Sequence, residues 1–169
     1  MRQPDVWLRG PVAHVPGMLQ PAAHALLQAV EDVDRVVAGV SREDLWRRPS
    51  PAASLGFHLK HLSGSTERLM SYGMGRAISA AEREWLALEP VDGAPEGDAA
   101  ALGLRLWTVV QNAINEMAGY PESRLTEARV IGRAQLPTSA IGCFFHAGEH
   151  ASRHAGQLIT TARLLGVAF

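Results

Sequence analysis

HAGEHASRH, residues 146 to 154, sets His146, His150 and His154 at four-residue intervals, and FHLKHL, residues 57 to 62, carries His58 and His61 three apart. Imidazoles in such a pattern can stay solvated, hydrogen-bond one another inside a core, or hold a metal ion. A helix turns by about 100° per residue, so positions i, i+4 and i+8 step only about 40° apart and project from one face. A pair at i and i+4 can share one ion. All three on one ion is geometrically hard, because the outer two stand about 12 Å apart along the axis at a rise of about 1.5 Å per residue. A further ligand must then come from another helix, and His58 and His61 are the candidates. The product would be a three-histidine site with open positions for water or substrate, the arrangement catalytic zinc and related ions use. A single helical pair would not carry this reading, since such pairs occur without metal and an interior histidine is usually a hydrogen-bonded core residue. Five of the seven histidines fall on two helices, however, and both clusters lie on stripes shared with core-type residues, where an unpaired imidazole is costly to bury.

The elements that must position them follow from apolar spacing. Leu19, Ala23, Leu26, Val30, Val33 and Val37 alternate steps of four and three, which predicts a first helix from Met18 to Val37, with Pro21 in its first turn. SREDLW makes one short turn, and Pro49 and Pro51 break any continuation. Ser54 caps a second helix that carries His58 and His61 and ends at GMG, residues 73 to 75. Ser79 and Glu82 have capping-box spacing and open a short helix over 79 to 89, followed by the loop PVDGAPEG. Asp98 opens a third long helix through Ala118, ARVIGRAQLP reads as extended, and Thr138 caps a fourth helix to about Leu165, stopped by Gly166. The spacing predicts an all-α chain, most simply a four-helix bundle in one domain over residues 1–169. The link 76 to 97 is long enough to cross the bundle end.

Composition excludes several function classes. Lys and Arg number 16 against 17 Asp and Glu, so no basic excess exists to neutralise a phosphate backbone, and nucleic acid is not an expected partner. No apolar run reaches the roughly 20 residues of a membrane span, and MRQPDVWLRG lacks the apolar core of a secretory signal, so a cytoplasmic protein is expected. The single cysteine, Cys143, rules out an internal disulfide and leaves a metal site to nitrogen and oxygen ligands. Cys143 lies on roughly the face of His150, though burial is the commoner fate of such a thiol. Glu149 points about 100° away from His150 and reads as a solvated carboxylate. His14 reads as loop surface, His24 as a helix residue without a role, and the four tryptophans as packing groups. Phosphate-binding glycine loops, HExxH and a serine nucleophile elbow are all missing from the sequence.

PAASLGFHLKHLSGSTERLM, GRAQLPTS and HAGEHASRHAGQL together resemble the DinB-like, YfiT-like metalloprotein superfamily over nearly the whole chain. The resemblance implies an up-down-down-up four-helix bundle with a long crossover between helices two and three, and frequently a homodimer. It also implies a divalent ion, nickel, zinc or iron, on His61, His150 and His154, with His58 and His146 as neighbours. Arg153 stands where many relatives have a second histidine. Some members of that superfamily are thiol-dependent transferases or isomerases, so the expected function is a metal-dependent enzyme, a thiol transferase or hydrolase. Its ion would activate water or a low-molecular-weight thiol. The competing expectations are a non-catalytic metal-binding stress-response or interaction protein, with a closed four-coordinate site, and a metal-free bundle whose histidines hydrogen-bond one another.

Overall fold

A computed structural model describes residues 3–95 and 97–169; Met1 and Arg2 of the N-terminal stretch and Glu96 of the PVDGAPEG loop lie outside the described residues. Among the described residues six α-helices run over Gln20–Val37 (α1), Arg42–Trp46 (α2), Leu55–Gly73 (α3), Ala80–Leu88 (α4), Ala99–Ala118 (α5) and Ala140–Leu164 (α6). Two short strands, Ala128–Ile131 (β1) and Leu136–Ser139 (β2), pair antiparallel. The long helices start where side chains can take up free backbone N–H groups. Ser54 accepts from Phe57 N at 3.2 Å, and Asp98 from Ala101 N at 2.9 Å. Ser79 and Glu82 form the reciprocal capping box at the start of α4. Thr138 does not cap α6: it is held in the hairpin opposite Arg129, and the cap falls one residue later on Ser139, which accepts from Gly142 N. The extended stretch ARVIGRAQLP is this hairpin, turned with positive φ at Gly132 and Gln135.

α1, α3, α5 and α6 form the bundle, and contacts between them fix its directions. Ser71, near the end of α3, donates to Glu82 at the start of α4, while Trp85 Nε1 donates to the Lys60 carbonyl near the start of α3. α4 therefore carries the chain back along α3. α5 can then run parallel to α3, and the pairs Arg105 with Glu67 and Arg76 with Glu116 rise together in sequence. α6 lies antiparallel to α3, with Phe144 against Gly73 and His150 against His61. It lies parallel to α1, with Gly148 on the Ala22 backbone and Ala168 against Gly39. The order is up, down, down, up, with the long crossover between the second and third bundle helices. Leu26, Val33, Leu59, Leu62, Leu106, Met117, Phe144 and Leu158 are buried at the centre. Each such side chain contributes about 1.5–3 kcal/mol by leaving water. Among the described residues no helix is long and apolar enough to cross a membrane.

The crossover is clamped by the one lysine in the sequence. Lys60 is fully buried. Its Nζ donates to the carbonyls of Leu88 at 2.7 Å, Ala94 at 2.8 Å, and Val91, and it lies 4.9 Å from the Trp46 ring centroid. Three carbonyl partners and an aromatic face compensate a charge that burial alone would expel. Residues 88 to 94 are thereby fixed beside the first half of α3.

Candidate metal centre

α3 and α6 cross with their histidine faces towards each other. His61 Nε2 lies 3.0 Å from His150 Nε2, and the His154 ring centroid stands 4.6 Å from that of His61 and 4.5 Å from that of His150. One nitrogen from each of His61, His150 and His154 falls within 4.8 Å of the other two. The i, i+4 pair from α6 and the single residue from α3 make a triangle that neither helix could supply alone.

Two of the three rings, His61 and His154, are oriented from behind. Glu89, just past the end of α4, is buried and presents Oε2 to His61 Nδ1 at 2.7 Å, while its Oε1 accepts from Arg68 Nη1 at 2.7 Å. A carboxylate beside an arginine can only accept, so His61 carries its proton on Nδ1 and turns a lone pair on Nε2 towards α6. Gly64 makes room for this contact: a Cβ there would strike Glu89 Oε1 and Trp85. His154 Nδ1 meets His58 Nδ1 at 3.2 Å, and Phe57 stacks on His61 with ring planes 7° apart. Burial, helped by the neighbouring His61 imidazole, lowers His58 and His150 to about 4. The same two causes lower His154 to about 3. These three rings are neutral at pH 7. His150 Nδ1 is buried with no hydrogen-bond partner in the protein, a cost a ligand can relieve. Three converging ring nitrogens, a carboxylate behind one of them and an orphaned ring nitrogen fit a divalent cation.

The remaining sequence candidates lie outside this triangle. His146 is half exposed and pairs with Glu149 Oε2 at 3.1 Å; Glu149 also pairs with Arg153, so it is a surface carboxylate as expected. Cys143 is buried, and burial raises its thiol above the ordinary range, which makes it a poor nucleophile. His14 is exposed, and His24 Nε2 sits 3.0 Å from the Gly10 carbonyl. Of the tryptophans, Trp46 and Trp85 pack at the crossover, while Trp7 and Trp107 are exposed and are not packing groups. Amphipathic spacing places a residue on a helix face but does not say whether another element covers that face. The residue of this cluster that sequence reasoning missed is Glu89, which meets His61 from behind. The small run Ser63, Gly64, Ser65 on α3 was its available signal, since short side chains there leave space for something to approach. Beside the triangle, an open cleft of about 750 Å³ is lined by Phe57, His58, Arg153, His154, Gln157 and Leu164, among others.

No family model and no curated protein matches the sequence. Solved structures do. YfiT from Bacillus subtilis, described as a probable metal-dependent hydrolase with an unusual four-helix bundle topology, superposes with a TM-score of 0.72 at 10% identity over 94% of each chain. A DinB-like protein from Bacillus cereus gives 0.63 at 15% identity, covering 85% of this chain and 92% of its own. A second DinB-like protein, from Bacillus subtilis, gives 0.62 at 16%, covering 88% and 96%. The chain has the DinB-like, YfiT-like fold. Within that fold the crossover delivers Glu89 to the back of His61, so the site draws on three separate parts of the DinB-like bundle: α3, the segment after α4, and α6.

Proposed function

We propose that His61, His150 and His154 hold a divalent ion, nickel, zinc or iron, and that the protein is a metal-dependent enzyme activating water or a thiol. The observation that carries this reading is the triangle of ring nitrogens within 4.8 Å, backed by the Glu89 carboxylate. A bound divalent ion lowers the pKa of a water or thiol at its open positions and so supplies a nucleophile at neutral pH. The chain does the rest. Glu89 keeps the His61 proton on Nδ1, Phe57 covers one face of that ring, and the cleft beside His58 and His154 has the size of a small-molecule site. Among the described residues the cluster contains three donors and no fourth, which supports an open site over a closed structural one. With this reading go a low-molecular-weight thiol as co-substrate, a cytoplasmic location and a homodimer. The name given to YfiT supports the hydrolytic branch of the same chemistry.

Two assays separate the branches. Protein loaded with zinc, nickel or ferrous iron is given a chromogenic ester, and separately a small thiol with a halogenated aromatic acceptor. Metal-dependent turnover of either substrate, lost in His150→Ala and kept in His146→Ala, is the expected result. Loaded protein inert towards both panels would favour the non-catalytic metal-binding protein instead.

A further inference from the structure

Five of the fifteen arginines, Arg68, Arg76, Arg83, Arg129 and Arg133, line one cleft of about 840 Å³ between the second half of α3, α4 and the β1–β2 hairpin. Among the described residues no acidic side chain lines it. Three of the guanidiniums are matched from outside the cleft, Arg68 by Glu89, Arg76 by Glu116 and Arg129 by Glu127. Arg83 donates to the Ile78 carbonyl, and among the described residues neither Arg83 nor Arg133 pairs with a carboxylate. Among the described residues the cleft therefore holds two positive charges without a carboxylate partner, in a chain whose net charge is −1. Its walls are not purely polar. Leu86 and Val130 are large apolar residues exposed at 43% and 48%, and both face this space together with Ile78 and the Tyr72 ring. Exposed apolar side chains set among guanidiniums suit a ligand with an anionic end and an apolar body.

The geometry points to this cleft as a binding site for a small organic dianion, a phosphate monoester or dicarboxylate, with its charge on Arg83 and Arg133 and its apolar part on Leu86 and Val130. Charge matches at two, forked guanidinium donors pair planar carboxylate or phosphate oxygens, and the volume is that of a small-molecule site. A concave pocket of this size, in a protein without a basic surplus, selects a small molecule over a nucleic acid strand. Arg68 joins the cleft to the histidine triangle, since it forms part of the lining and also holds Glu89 against His61. The site nonetheless stands on its own residues, and no metal ion is needed to form it.

Phenyl phosphate is the probe, titrated by calorimetry into metal-free wild-type protein, into R83Q/R133Q and into His61→Ala/His154→Ala. Both arginines are exposed surface residues, so the double variant should fold, which circular dichroism checks. Saturable binding at one site per chain, weakened at least tenfold in R83Q/R133Q, unchanged in the histidine variant and stronger than for inorganic phosphate, is the expected outcome. Absence of saturable binding, or binding indifferent to the two arginines, would overturn the proposal. Binding lost only in the histidine variant would also overturn it, by placing the anion on the histidine triangle.

Discussion

A carboxylate on one nitrogen of a histidine decides which nitrogen keeps the proton, and Glu89 does this for His61 at 2.7 Å while its other oxygen accepts from Arg68. Carboxylates in that position typically change metal affinity by about 10–100-fold. Glu89→Gln, which keeps shape and loses charge, should weaken metal binding by about that factor with an unchanged far-ultraviolet spectrum; competition against a chromophoric chelator measures it, and an unchanged Kd would remove Glu89 from the site. Acidity gives a second expectation at the residue scale. Burial holds His58 and His150 at about 4 and His154 at about 3, below the ordinary 6.5. Between those values the unfolded chain takes up protons that the folded chain refuses, so the contribution present above pH 6.5 is lost as the pH falls towards 4 and below. The metal-free protein should thus melt at progressively lower temperature as the pH is lowered from about 7 to about 4. A melting temperature flat across that window would contradict the burial of these rings.

At the scale of elements, periodicity shows the four long helices plainly, because caps such as Ser54 and Asp98 act through neighbours three residues away. The histidine spacing on α6 was legible for the same reason, one turn being a local property. Glu89 was not, because its role depends on where α4 lies rather than on what α4 is. Nothing local tells a glutamate 28 residues from His61 that the chain will double back along α3. Lys60 shows the same limit: a lysine in FHLKHL reads as a solvated head group, yet it is fully buried under three carbonyls of the crossover. Lys60→Met should therefore cost about 2–4 kcal/mol in chemical denaturation, because three buried acceptors lose their donor. Hydrogen exchange should quicken over residues 88 to 94, and metal binding should weaken in step, since that segment carries Glu89. Unchanged exchange there would show that the crossover is held by other contacts.

For the whole molecule, the up-down-down-up order brings together residues that sequence separates by 89 positions, His61 and His150, at the price of a long connection between two parallel helices. That connection then serves the site by supplying Glu89. An ion held across α3 and α6 ties the two halves of the bundle, so it should stabilise the fold by about 2.7 kcal/mol when free metal is 100 times Kd. The most direct measurement is elemental analysis of the protein prepared without a polyhistidine tag, beside His61→Ala and His154→Ala. About one divalent ion per chain in the wild type, absent from both variants, is what a three-nitrogen site requires. A wild-type protein that carries no metal and cannot be loaded with zinc, nickel or iron would reduce HAGEHASRH to a stripe of histidines that hydrogen-bond one another.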